Sequence, residues 1–335
     1  MRHRPRADRP GRVAILPALL LASITAATAF AEDRRPTRDP IHEPWTLDQW
    51  CSNLRAELRI LGWSIEPCTG IPWRLSNRRS VLGKPIPVVE FGDPGATNST
   101  LVVSMVHGDE NTPLFLALRL ARHLAQDEAR LRAASIRVVI APLVNPDGFF
   151  RGTRTRTNAH KVDLNRNLPT KDWAELALRM WKTRFGSNAR RFPGNQPASE
   201  PETTFQMELV ERIAPQKILS IHAPLNFTDY DGPSESRLSL ARFPKDYVDE
   251  CIRLRRKLKA QSGGFFPGSL GNYAGQERGI PTITLELPSA QAGRAEHYWK
   301  QFEPGIRTMI DSEVPALGAA APTPGELPQQ VSRER

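Results

Sequence analysis

The stretch SMVHGDENTP, Ser104 to Pro113, sets a histidine and a glutamate three residues apart, directly behind the apolar run TLVV. An imidazole and a carboxylate at a strand end do little for packing, so their value is chemical if the chain supplies partners. The run KILSIH closes on His222, and TITLE closes on Glu286. In an open α/β sheet, ligands gather outside the carboxyl ends of the strands. His107, Glu110, His222 and Glu286 can therefore meet although they are far apart in sequence.

Two histidines plus one carboxylate are the protein ligand set of a catalytic zinc that keeps one coordination position open for water. His107 and Glu110 sit on one turn, which limits the entropy lost when a metal is grasped, and His222 arrives from a separate strand. Zinc lowers the pKa of a bound water to about 7 and polarises a carbonyl oxygen. A second carboxylate must then take the water proton and hand it to the leaving amine, and Glu286 is the candidate. A single histidine is more often structural, and Glu286 alone could be a capping or ion-pairing residue. Four such groups at three strand ends are harder to explain by packing.

Between them lies NPDGFFRGTRTRTNAHKVDLNRNLPT, Asn145 to Thr170. Asn145-Pro146-Asp147-Gly148 reads as a turn. Beyond it are Arg156 and the string DLNRN, Asp163 to Asn167, in which Arg166 offers a planar fork suited to a carboxylate and Asn165 can donate beside it. Arg151 and Arg154 read as cations of a solvated basic loop.

The elements that must position these groups are legible from periodicity. PVVEF, TLVVSMV, IRVVIAPLV, KILSIHA and TITLEL are short β-branched runs. They alternate with the helical patterns TPLFLALRLARHLAQ, DWAELALRMWKTRF, EPETTFQMELVERIA, DYVDECIRLRRKLKA and EHYWKQFEPGIRTMI. That alternation predicts an α/β sheet with helices on both faces. An earlier helix is predicted in TLDQWCSNLRAELRILGW, with Thr46 as N-cap and Trp50, Leu54, Leu58 and Leu61 on one face. Ser199 with Glu202 has the spacing of a capping box.

Met1 to Arg12 carries five arginines, Val13 to Ile24 is apolar, and the segment ends Ala29-Phe30-Ala31. This is the pattern of a secretory signal cleaved before Glu32, with the apolar run short for a membrane span. A retained anchor is the rival reading. Residues 1–31 hold +4 of the formal +10 charge, leaving a mildly basic +6 that suits an anionic partner such as a cell-wall polymer. No basic stripe interleaved with aromatics speaks for nucleic acid. In an oxidising compartment Cys51 and Cys68 could close a short loop, leaving Cys251 free and buried in a helix. No CxxC occurs, so a cysteine zinc site is excluded. After Val314 the chain turns rich in Ala and Pro, and disorder is expected there.

HxxE at His107/Glu110, NPDG, VDLNRN, the histidine of SIH and TLELP together resemble the zinc carboxypeptidase family in its order, from about Ser80 to Ile310. The resemblance implies a mixed twisted sheet flanked by helices on both faces, organised as a signal peptide (1–31), an N-terminal extension (32–78), a catalytic domain (79–313) and a tail (314–335). It implies zinc on His107, Glu110 and His222, Glu286 as general base and acid, Arg156 on the oxyanion, and Asn165 and Arg166 on the terminal carboxylate of a peptide. Within the family, ILSIHAPL and PGSLGNYAGQERGIPTITLELP are similar to the branch that cuts cell-wall peptides between γ-D-glutamate and meso-diaminopimelate. Gly271, where digestive-type relatives carry an aspartate or another large residue, would leave the pocket open to a long polar side chain. With the leader, this implies an exported, periplasmic enzyme. The alternatives are a general or wall-trimming DL- or LD-carboxypeptidase of the same fold, and a metal-dead protein that binds peptide termini. GxSxG, HExxH and GxxxxGK[ST] are all absent.

Overall fold

The computed structural model describes residues 45–233, 238–259 and 266–314. The expected signal segment, the remaining residues before Trp45 and the tail from residue 315 lie outside the described residues. In chain order the elements are α1 (Leu47–Ile60), β1 (Arg74–Arg79), β2 (Pro85–Gly92), β3 (Asn98–Ser104), α2 (Asn111–Gln126), α3 (Glu128–Ala133), β4 (Ile136–Ala141) and α4 (Pro146–Phe149). Then follow α5 (Trp173–Thr183), α6 (Pro201–Ile213), β5 (Lys217–His222), β6 (Phe227–Asp231), α7 (Lys245–Lys259), β7 (Thr282–Glu286) and α8 (Ala295–Asp311).

The seven strands form one sheet in the order β1-β2-β4-β3-β5-β7-β6. β4, β3, β5 and β7 run parallel, while β1, β2 and β6 are antiparallel to their neighbours. The parallel strands sit in the middle because helices cover both their faces, and every residue of β3 and of β5 is buried. One apolar cluster lies on the face covered by α1, α2 and α8. A second, built from Leu101, Val139, Phe205, Leu209 and Ile218 among others, lies under α6. Each fully buried leucine, isoleucine or phenylalanine contributes about 1.5–3 kcal/mol.

α1 starts where the sequence places it. Thr46 accepts from Gln49 N at 3.2 Å and Gln49 Oε1 accepts from Thr46 N at 2.8 Å, a reciprocal cap. Trp50, Leu54 and Leu58 face the core, and Trp50 meets Trp73 edge-on at 5.7 Å. Cys51 and Cys68 are disulfide-bonded, and Cys251 is free and buried. Val314 is 7% exposed and exchanges two hydrogen bonds with Gln216.

Three sequence readings are corrected. α6 has no capping box: Pro201 opens the helix, Glu200 is its N-cap, Ser199 Oγ donates to Glu200, and Glu202 turns inward to accept from Val81 N. Arg154 is not solvated, because it bridges Glu57 Oε2 at 2.7 Å and Asn111 Oδ1 at 3.1 Å and lies over the Phe149 ring. Two strands escaped the hydrophobic pattern. β1, RLSNRR, is a polar edge strand with no fully buried residue, and β6, FTDYD, is an edge strand that turns acids toward a cavity.

Candidate active site

The loop after β3 delivers the first two groups. Met105 takes a left-handed conformation, φ 51°, and its carbonyl accepts from Asn145 N at 3.0 Å. Asn145 in turn caps α4 by accepting from Gly148 N at 2.8 Å. Gly108 packs so closely on this turn that a Cβ there would sit 2.3 Å from the Gly148 carbonyl carbon. HGDE and NPDG are therefore one interlocked unit, and a side chain at position 108 would push them apart.

His107 Nδ1 lies 2.8 Å from Glu110 Oε1, His222 Nδ1 lies 3.0 Å from Glu110 Oε2, and the two Nδ1 atoms are 3.2 Å apart. All three side chains are buried, and their ligand atoms fall within 4.8 Å of one another. A tetrahedral zinc with ~2.0–2.1 Å bonds needs donors ~3.3 Å apart, so the cluster fits the ion after small outward shifts. Its donor chemistry fits as well, with two imidazoles and one carboxylate converging on a point. The outward nitrogens are occupied: His107 Nε2 is 3.0 Å from Asp163 Oδ1, and His222 Nε2 is 3.0 Å from Ser220 Oγ. Such contacts fix which nitrogen is left for a metal.

Electrostatics point the same way. Burial opposes charge on Glu110, but His107 and His222 hold it well below the carboxylate range. Burial and Arg156 likewise oppose a proton on His107, yet Glu110 and Asp163 outweigh them and raise its pKa. A divalent cation would displace that proton.

Register supplies the fourth group, since His222 on β5 pairs with Glu286 on β7. Glu286 is not bonded to the cluster. It accepts from Leu225 N at 3.4 Å, and burial above all, with repulsion from Glu110, pushes its carboxyl above the usual range. A carboxyl that takes and returns a proton near neutral pH needs that environment.

The segment after α4 arrives from the other side. Arg156 donates through Nε to Asp163 at 3.0 Å and through Nη1 to Glu110 at 3.3 Å, and these carboxylates hold it charged despite burial. Asn165 spends its Oδ1 on Leu270 N at 2.9 Å, which leaves its amide nitrogen for the cavity. Arg166 is 8% exposed, stacks on Phe266, and has an Nε with no hydrogen-bond partner among the described residues. Burial pushes its pKa down to about 10, the mark of a cation awaiting an anion.

A cavity of about 400 Å³ is lined by His107, Glu110, Arg156, Asn165, Arg166 and Glu286, with His222 behind them. All seven residues singled out in the sequence are thus brought together. Sequence reasoning missed Asp163, which holds both His107 and Arg156; its only signal was its place in DLNRN. It also misjudged Gly271. That glycine lines the cavity, but the space beyond its Cα is filled by the Asp231 carboxylate, 1.8 Å from where a Cβ would be. All four tyrosines of the chain, at 230, 247, 273 and 298, are buried, so none stands over the site.

Comparison with known proteins agrees with this geometry. Residues 75–261 match the family model for zinc carboxypeptidase. The chain is 31% identical over 220 residues to murein peptide amidase A of Escherichia coli strain K12, covering 65% of this chain and 82% of that one. It is also 31% identical over 221 residues to murein peptide amidase A of Vibrio campbellii, covering 64% and 79%. Among solved structures, bovine thrombin-activatable fibrinolysis inhibitor in complex with tick carboxypeptidase inhibitor superposes with a TM-score of 0.53 at 16% identity. That match covers 79% of this chain and 96% of the other, and it speaks to the fold alone.

Proposed function

The chain belongs to the zinc carboxypeptidase family and is a zinc-dependent metallopeptidase; from that premise we propose that it is a murein peptide amidase, cutting the bond between γ-D-glutamate and meso-diaminopimelate in cell-wall peptides. The observation that carries the reading is the His107–Glu110–His222 cluster opening, beside Glu286, into a cavity lined by Arg166 and Asn165. The 31% identity to murein peptide amidase A over 82% of its length supports a cell-wall peptide as the substrate.

In this reading His107, Glu110 and His222 hold the zinc, which when bound supplies Lewis-acid polarisation and acidifies water. Arg166 takes the substrate's terminal carboxylate through a bidentate ion pair, with the Asn165 amide beside it. Glu286 accepts the proton of the attacking water and then delivers it to the departing amine nitrogen. Arg156 donates to the oxygen on which negative charge develops, a contribution typically worth about 10²–10³ in rate. Asp163 keeps both Arg156 and His107 in position.

Export is part of the same proposal. The leader-like segment at 1–31 and the Cys51–Cys68 disulfide both suit an oxidising compartment such as the periplasm. Among the described residues no helix is long and apolar enough to cross a membrane.

The test is incubation with L-Ala-γ-D-Glu-meso-diaminopimelate and, separately, with a peptide ending in leucine, with and without chelator, beside Glu286→Gln. Chelator-sensitive release of free diaminopimelate, lost in the variant, is the expected result. Cleavage of the leucine peptide alone would move the substrate to general carboxypeptidase. Bound zinc with neither peptide cut would favour a protein that binds peptide termini.

A further inference from the structure

Four arginines line the catalytic cavity: Arg156, Arg166, Arg190 and Arg191. Arg156 is paired with Asp163 and Glu110, and Arg190 Nη1 lies 2.7 Å from Asp109 Oδ2. Arg166 awaits the terminal carboxylate of a peptide. That leaves Arg191, whose guanidinium makes no ion pair and no side-chain hydrogen bond among the described residues.

Arg191 is nonetheless held in place. It ends a single helical turn, Ala189–Arg191, in which Asn188 Oδ1 accepts from Arg190 N at 2.9 Å and Arg191 N donates to the Asn188 carbonyl at 2.9 Å. Trp181 Nε1 donates to the same carbonyl at 2.8 Å, and Asp163 N donates to the Phe192 carbonyl at 2.7 Å. The turn is thereby joined to DLNRN on one side and, through Arg190 and Asp109, to the metal-binding turn on the other. The guanidinium of Arg191 lies 4.8 Å from the centre of the Phe185 ring, and that ring stacks on Phe266, which carries Arg166. Contact through the ring face fixes a guanidinium without using its N–H donors. Burial, with repulsion from Arg156, Arg190 and Arg184, lowers the pKa of Arg191. A methionine or leucine would cover Phe185 without adding a cation to this wall, so packing alone does not account for the charge.

We propose that Arg191 takes a second substrate carboxylate, the free α-carboxylate that a γ-linked D-glutamate carries on the acyl side of the scissile bond. The inference rests on the murein reading of the same cavity. An α-linked peptide spends that carboxyl in its own backbone and brings no anion to this place. With Arg166 and Asn165 on the terminal carboxylate and Arg191 on the second, the two anions fix the substrate on both sides of the attacked carbonyl. Arg191 would thus be a reader of the γ-linkage itself, whatever residue is released.

The test uses zinc-loaded protein and two peptides with the same leaving group, L-Ala-γ-D-Glu-meso-diaminopimelate and its analogue in which the α-carboxylate of D-glutamate is a carboxamide. Wild type should favour the carboxylate by ~10–10²-fold in kcat/KM, chiefly through KM. That ratio needs no variant. Arg191→Gln should bring it close to one by slowing the carboxylate peptide and leaving the amide peptide unchanged, with zinc content and melting midpoint as controls. Arg191→Lys keeps the charge without the fork and should restore part of the preference. A wild type that cuts both peptides equally would overturn the assignment and leave the murein reading standing. Equal losses on both peptides in Arg191→Gln would overturn it too, placing Arg191 on another carboxylate or in a structural role. A wild type that cuts neither peptide, yet cuts one ending in leucine, would remove the murein reading and this assignment with it.

Discussion

Asp163 Oδ1 lies 3.0 Å from Nε2 of His107, on the side of the imidazole opposite Glu110. The carboxylate is fully buried. Although burial opposes its charge, Arg156 and His107 hold it ionised well below the ordinary aspartate range. One acid thus fixes the tautomer of a candidate metal ligand and the orientation of the arginine that faces the cavity.

Asp163→Asn should therefore weaken zinc affinity about 10–100-fold without removing a ligand. Competition with a chromophoric chelator measures this directly. Wild-type affinity in the variant would show that the contact is only structural.

Glu286 is close to the metal cluster but outside it. Glu286→Gln should lower kcat by about 10²–10⁴ while zinc content and KM stay near wild type. Metal analysis alongside single-turnover kinetics separates the cases. Zinc lost together with activity would make Glu286 a ligand and not a proton carrier.

Glu202 offers a pH signature away from the site. It is fully buried at the start of α6, reached by Asn158 Nδ2 at 3.0 Å and by Val81 N at 3.1 Å. Burial above all raises its carboxyl from 4.5 to about 7. The native state then holds this proton more tightly than the unfolded chain. Its contribution is complete below about pH 4.5 and is lost as the pH rises through about 7, ~3 kcal/mol at most. Glu202→Gln should shrink the difference between denaturation midpoints at pH 5 and pH 8. Glutamine turns a donor toward Asn158 and costs stability at both values, so the difference is the readout. An unchanged difference would remove Glu202 from the account.

The Cys51–Cys68 bond spans a sequence separation of 17 and ties α1 to the chain leading into β1. Closing a loop of that size contributes about 3 kcal/mol. Reduction, or Cys51→Ala with Cys68→Ala, should lower the denaturant midpoint accordingly, and Cys51→Ala leaves a small cavity besides. Cys251 offers no escape by exchange, because it is buried and burial pushes its thiol up to about 12. A midpoint unmoved by reduction would mean that the packing of Trp50 against Trp73 alone secures α1.

Much of the site could be read without coordinates because its groups stand at places that punctuate the sequence. His107, His222 and Glu286 each close an apolar run, and strand ends in an open sheet share one edge. Arg156, Asn165 and Arg166 sit in a string that neither period nor packing explains. The same logic hid β1 and β6. Their residues are polar because one lies at an edge and the other faces a cavity, so neither shows the alternation that marks a half-buried strand.

The sequence by itself determined the strand–helix alternation, the seven candidate site residues that the fold brings together and the reciprocal cap of Thr46, since each depends on residue type at short range. Tertiary structure alone decided that β5 lies between β3 and β7, so that His222 comes beside both Glu110 and Glu286. It also decided that Asp163 supports His107, and that Gly271 yields its space to Asp231. These contacts join residues from 40 to 56 positions apart up to more than a hundred. No periodicity reaches that far, and only strand order and register, set by burial on both faces of the sheet, bring them together.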